Sequence, residues 1–211
     1  MGFAKREKTA PLFSVSPFAD VEKIIDSRAL VCDCGGMLGR WGHGRSRKVR
    51  GITRVVTPRR TRCRDCGVTH ILLPSDCFLR RADSAAVIGK ALVAGAGGKG
   101  FGKVAKLLGL PRETVRGWFQ AARRNAGVMV AWFTVMGLRA DPAFLSRHLL
   151  GGQLAAAVDV VLRAAAAITL HISSASMVAP WLVISQVSNG LLLHPNYGLR
   201  LPTRARPYAR K

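Results

Sequence analysis

The spacing of apolar residues changes twice along the chain. Residues 83–124 carry apolar side chains at helical intervals, in DSAAVIGKALVAGA and then FGKVAKLLGLPRETVRGWFQ. Before them, residues 28–79 hold short strand-like runs, RKVRGITRVVTPRRTR the longest, bounded by Gly, Cys and Pro turns. After them, VMVAWFTVMGL, QLAAAVDVVLRAAAAITLHI and APWLVISQVSNGLLL are apolar nearly all round and predict three helices separated by Gly and Pro, packed together, on the preceding helices or across a dimer. FADVEKIID predicts a short helix in an otherwise polar arm. The expected organisation is mainly α with a small β zinc ribbon: a polar arm (1–27), a zinc ribbon (28–79), a three-helix helix-turn-helix domain (82–126), a helical packing or oligomerisation region (127–195) and a basic, Pro-punctuated, disordered tail (196–211).

The 101–120 stretch meets a demanding pattern. A helix-turn-helix needs a small residue where its second helix crosses the first, and Ala105 is there. It needs a residue tolerant of positive φ four positions on, and Gly109 is there. Val104, Leu108, Leu110, Val115 and Trp118 stand at the inward positions, and Pro111 suits a helix start. Asp83 is the expected N-cap of the preceding helix. Val115, Trp118 and Phe119 share one face of the second helix, and Arg112, Thr114, Arg116, Gln120 and Arg123 occupy the other. In such a unit the second helix enters the major groove, so Arg112, Thr114, Arg116 and Gln120 are the candidates for base contact.

Cysteine spacing supplies the second signal. Cys32-Asp33-Cys34-Gly35-Gly36 and Cys63-Arg64-Asp65-Cys66-Gly67 are two thiol pairs, each followed by Gly, on either side of a hairpin-like segment. Four thiolates in two tight turns close a tetrahedral structural zinc site, and the Gly after each pair supplies the positive φ that the turn needs. Cys32, Cys34, Cys63 and Cys66 are therefore the candidate ligands, with Zn²⁺ the implied cofactor. The first pair is CxC rather than CxxC, which leaves His43 or His70 as alternatives to Cys32. Cys77, in ILLPSDCFLR, is read as a core thiol.

Charge then narrows the partner. The 211 residues hold 33 Lys and Arg against 11 Asp and Glu, a formal net charge of +22. Such an excess on a folded chain calls for a polyanion. From Arg40 to Arg64 there are ten Lys or Arg and no acid. Arg45, Arg47, Lys48, Arg50, Arg54, Arg59 and Arg60, with Lys103 and Arg123 from the helices, are the candidate phosphate contacts. Hydrophobic residues make up 49%, enough for a core, which excludes wholesale disorder.

Other chemistries find less support. Gly97–Lys103 has P-loop spacing, but Val104 stands where Ser or Thr would hold magnesium, and an Ala-rich helix precedes it where a strand is required. Gly95, Gly97 and Gly100 fit GxGxxG and fail for the same reason. Only Asp141 and Asp159 follow Glu113, too few for the three-carboxylate site of a transposase, so no enzyme is expected. No apolar run follows the basic residues of MGFAKREKTAPLF, and Arg6 stands where a myristoylation motif takes Ser or Thr. Residues 153–172 are apolar enough for a membrane span, but Asp159 and Arg163 sit four apart in the order that favours a helix in water. No membrane partner is expected.

CGGMLGRWGHGRSRKVRG and CRDCGVTHILLPSDCFLRRADSAAVIGKAL, followed by GLPRETVRGWF, resemble an uncharacterised actinobacterial family of zinc-ribbon/helix-turn-helix proteins linked with mobile elements. The arrangement is similar to the N-terminal recognition region of some insertion-sequence transposases. The resemblance covers residues 30–125 and, more loosely, the later helices. It implies DNA binding, a structural zinc and a link to transposition. The expected function is therefore sequence-specific binding of double-stranded DNA in the cytoplasm, at the nucleoid, as a transcriptional regulator or transposition accessory. A homodimer and a transposase partner both suit this picture. The alternatives are an RNA-binding or ribosome-associated module and a noncatalytic remnant of a transposase.

Overall fold

The computed structural model describes residues 12–15, 21–144, 152–172 and 179–197. Among them are four strands and six helices: β1 (Leu12–Val15), α1 (Val21–Asp26), β2 (Leu38–His43), β3 (Arg59–Cys63), β4 (Thr69–Pro74), α2 (Ala85–Ala96), α3 (Phe101–Leu108), α4 (Arg112–Ala140), α5 (Gln153–Ile172) and α6 (Pro180–Val187). The fold is mixed, a small sheet followed by a larger helical body. The expected tail lies outside the described residues from 198 onward.

The sheet has the order β1-β4-β3-β2. Strands β2, β3 and β4 form an antiparallel meander, and β1 adds to β4 in parallel. A strand within the amino-terminal arm was not expected; the polar reading of 1–27 overlooked the short run Leu12–Val15. Alternation along β3 puts Thr61 and Cys63 inward and Arg62 outward. Leu72 packs with Ile25 of α1, and Leu73 packs on the other side with Val49, Val56 and Cys77. The long β2–β3 connection folds back on α2: Arg50 N–H donates to the Ala82 carbonyl at 2.8 Å and Ser84 N–H to that of Arg50 at 2.9 Å.

That contact decides the cap of α2. Ser84, not Asp83, is the N-cap, and its Oγ accepts from Val87 N–H at 3.2 Å. Asp83 is buried and directed instead to Arg50, 3.3 Å away. Two adjacent residues could each cap this helix, and a long-range arginine selects between them.

Helices α2 to α6 share one core. Gly109 ends α3 in the left-handed region at φ 62°, and Pro111 immediately precedes α4. Phe119 of α4 lies against Gly95 of α2, where an added Cβ would stand 2.4 Å from the ring. The expected separate helix VMVAWFTVMGL is the second half of α4, which runs unbroken from Arg112 to Ala140, so the expected boundary at 126/127 falls inside a helix. No proline interrupts that run, and its interior glycines, each costing about 1 kcal/mol relative to Ala, are outweighed by burial of Met129, Phe133 and Met136. Pro142 ends it.

Helix α5 matches the expected span and is long and apolar enough to cross a membrane. Here it packs in the core through Ala157, Val161, Ala164 and Ile168. Arg163 donates to Asp159 at 2.9 Å. The apolar segment after α6 is a turn rather than helix, with Asn189 and Gly190 both at positive φ. It is held from three sides. Buried Asn125 donates to the Leu192 and His194 carbonyls at 2.8 and 2.9 Å, Arg81 donates to the Leu193 carbonyl at 2.7 Å, and Leu79 N–H donates to Gly190. Tyr197, read as the start of the tail, is buried in the same core.

Replacing Gly95 by Ala should press on the Phe119 ring. We expect a loss of about 1–3 kcal/mol, read from urea unfolding monitored by far-UV circular dichroism; an unchanged midpoint would show that this contact does not hold α4 against α2.

Candidate metal centre and nucleic-acid interface

The four expected cysteines converge. Cys32 and Cys34 lie ahead of β2, and Cys63 and Cys66 lie at the β3–β4 turn, so pairing of β2 with β3 brings the two pairs together. Their Sγ atoms all lie within 4.8 Å of one another. Cys32 and Cys66 are 3.6 Å apart and Cys34 and Cys63 are 3.5 Å apart. Those separations are far longer than a disulfide, at about 2 Å. They suit a tetrahedron of sulfurs around an ion at about 2.3 Å, whose edges are about 3.8 Å. Among the described residues the cluster contains no histidine: His43 lies exposed on β2, and His70 is buried on β4 opposite Thr61.

The two turns share the same backbone device. Gly35 and Gly67 are at φ 91° and 71°, as the spacing predicts. Gly36 leaves room for sulfur: a Cβ there would stand 2.6 Å from Cys63 Sγ. Cys32 N–H donates to the Gly36 carbonyl and Cys63 N–H to the Val68 carbonyl, both at 2.9 Å. The Cys66 amide, with that of Asp65, pulls the Cys63 thiol down to about 7. Burial pushes Cys32 up to about 12, against the Cys34 amide. Cys77, away from the cluster, is fully buried and pushed up to about 12 by that burial, as a core thiol should be.

The basic segment divides into two sets. Arg40 contacts Asp26 at 2.6 Å and Glu22 at 3.1 Å. Arg54 contacts Asp76 at 2.6 Å, and Arg50 contacts Asp83. Arg59 is half-buried, donating to Glu22 at 2.6 Å and to the Gly42 carbonyl at 2.6 Å. Hydrogen bonding to Arg59 holds the Glu22 carboxyl below its usual range. The stabilisation from that pair is present above the unfolded carboxylate pKa and is lost as pH falls through the lower folded value. Thus Arg50, Arg54 and Arg59, three of the candidate phosphate contacts, are paired with acids from outside the 40–64 segment, and only Arg59 has a largely buried side chain. Arg47 and Arg60 are partly buried. Arg45 and Lys48 are exposed with no ion pair among the described residues, as are Lys103 and Arg123.

Three residues of this surface were missed in the sequence: Trp41, Arg62 and Arg64. Trp41 is the extra residue of a β-bulge, because Arg40 pairs with Thr61 and Gly42 with Arg60. The W-G step inside an otherwise regular strand was the available signal.

In the helical body, Val115, Trp118 and Phe119 are buried, with Trp118 2% exposed. Arg112, Arg116, Gln120 and Arg123 are exposed and Thr114 is half-buried. The Arg112 guanidinium lies 5.0 Å from the Phe101 ring centroid, which joins the first turns of α3 and α4. Arg116 contacts Glu113 at 3.2 Å on the open surface, a type of pair that contributes little and yields readily to another anion. The long helix therefore presents a cationic face over its first turns and a buried face behind it.

Comparisons with protein-family models, curated proteins and solved structures found no match to this chain.

The thiol cluster makes a direct prediction. The full chain should carry close to one metal ion, measured by elemental analysis after gel filtration, and Cys63→Ser should lose it. Ligand thiols must shed protons, so occupancy should fall as the pH is lowered. A folded chain with no bound metal at neutral pH would contradict the assignment.

Proposed function

We propose that this chain is a sequence-specific double-stranded DNA-binding protein, a transcriptional regulator or transposition accessory with no catalytic activity of its own. In this reading α3 and α4 form a helix-turn-helix, and the first turns of α4 enter the major groove. Arg112, Thr114, Arg116 and Gln120 face base edges. Arg prefers guanine O6 and N7, and Gln suits adenine. Lys103 and Arg123 flank them on phosphates. The cysteine cluster holds zinc through Cys32, Cys34, Cys63 and Cys66, and the ribbon it stabilises adds Arg45 and Lys48 to the backbone contacts. The zinc is structural: four thiolates leave no position for water.

One observation carries the proposal. The first turns of α4 bury Val115, Trp118 and Phe119 while leaving Arg112, Arg116, Gln120 and Arg123 exposed, directly after a left-handed Gly109 turn. Over residues 112–124 the exposed side chains include Arg112, Arg116, Arg123 and Arg124 against a single acid, Glu113. The net charge of +22 supports the same partner class.

The reading separates two kinds of substitution. Arg116→Ala should relax discrimination at one base pair by about 1–3 kcal/mol, whereas Lys48→Ala should weaken binding to all sequences and lower the salt slope by about one. Both are read from fluorescence anisotropy titrations on a selected site and a scrambled duplex at several salt concentrations. If Arg116→Ala weakens selected and scrambled duplexes equally, α4 is not the reading helix.

A further inference from the structure

We propose that the outer face of the ribbon holds a second nucleic-acid site, a groove that takes an unpaired nucleotide of single-stranded DNA by stacking its base on Trp41. The groove is separate from α4 and does not depend on the duplex-reading role proposed above. It is an open depression of about 390 Å³ lined by Gly39, Arg40, Trp41, Arg62, Cys63, Arg64 and Gly67. None of these described residues is acidic.

Four features give this surface its chemistry. Trp41 is 50% exposed, whereas Trp118 is buried and Trp132 and Trp181 are partly buried. It is the bulged residue of β2, so the backbone turns it out of the regular alternation. The Arg62 guanidinium sits 4.5 Å from the indole centroid and donates through Nε to the Gly67 carbonyl at 3.1 Å. The guanidinium therefore lies braced against one face of the indole, and a base would stack on the other face of this cationic pair. Arg64 lies over Gly39, whose missing side chain leaves the floor open: a Cβ there would be 3.4 Å from Arg64 Nε. Neither Arg62 nor Arg64 has an ion-pair partner among the described residues.

These features select the ligand. Guanidinium groups without acids attract phosphate, and an aromatic face next to them attracts a π-surface. A duplex hides the faces of its bases and offers this groove only backbone. A single strand offers phosphate and an unstacked base together, and stacking is indifferent to which base it is. The site thus supplies strand affinity without sequence preference, complementary to the base-reading face assigned to α4.

The test uses the full, metal-loaded chain with a short oligo-dT strand, a matched duplex and an oligo-rU strand at one salt concentration. Oligo-dT should quench the tryptophan fluorescence of the unsubstituted protein, since Trp118 is buried and Trp41 is the most accessible indole. Trp41→Ala should weaken oligo-dT binding roughly five- to a hundredfold, Trp41→Phe should retain most of the affinity, and both should bind the duplex within about twofold of the unsubstituted chain. Because the quenching is measured without substitution, the idea stays testable if Trp41→Ala misfolds. Oligo-dT binding that leaves the fluorescence unchanged, or an equal loss on strand and duplex, overturns the stacking groove. Tighter binding of oligo-rU than of oligo-dT overturns the assignment to DNA. Loss of duplex sequence preference in Arg116→Ala with oligo-dT affinity intact would show that the two surfaces act separately.

Discussion

Burial of the Trp118 indole, with Val115 and Phe119, is the constraint from which the cationic face of α4 follows. A helix can rotate about its axis, and only the side chains it commits to the core fix that rotation. Removing a buried tryptophan typically costs about 3–5 kcal/mol, far more than the surface pair between Arg116 and Glu113 could contribute. The apolar wedge therefore decides which way Arg112, Arg116 and Gln120 point. Gly95 lets the Phe119 ring approach α2, and Gly109 turns the chain between α3 and α4. The second half of α4 and the whole of α5 extend this core, and Asn125 and Arg81 tie the 189–197 turn to it.

The same economy of charge runs through the ribbon. Ten cations in one segment without an acid look, in sequence, like a surface awaiting phosphate. In three dimensions Glu22, Asp26, Asp76 and Asp83 come in from outside and neutralise Arg40, Arg50, Arg54 and Arg59. Those pairs link the ribbon to α1, to the segment between β4 and α2, and to the residue before Ser84. The exposed cations of this segment with no ion-pair partner among the described residues are a smaller set: Arg45 and Lys48 on the long connection, and Arg62 and Arg64 beside Trp41. A local charge count measures how many cations there are. Long-range pairing decides how many are left for a ligand.

This difference explains what could be read from the residues alone. The four-cysteine cluster was legible, including Cys32 in its unusual CxC spacing, because turn glycines and thiol pairs are local chemistry. The helices from 85 to 124 and from 153 to 172 were legible because their apolar spacing is periodic. The cap of α2 was not, because Arg50, more than thirty residues away, draws Asp83 off the helix end. The continuity of α4 was not, because Gly127 reads as a break until the burial of Ala126 and Met129 on either side of it is known. The turn after α6 was not, because Leu191–Leu193 read as a continuation of the apolar run of α6, and their place depends on contacts with Asn125, Arg81 and Leu79 far away in sequence. The outward turn of Trp41 depends on a bulge, and bulges arise from strand pairing, which a single strand does not reveal.

The claim that matters most is that this chain reads base sequence in duplex DNA. The direct measurement is selection of a randomised duplex library by the full chain, followed by sequencing of the retained molecules. The account predicts a recurrent short motif with at least one position dominated by guanine, the base best matched to Arg116 or Arg112. A retained pool indistinguishable in sequence from the input, at a salt concentration where binding persists, would contradict it.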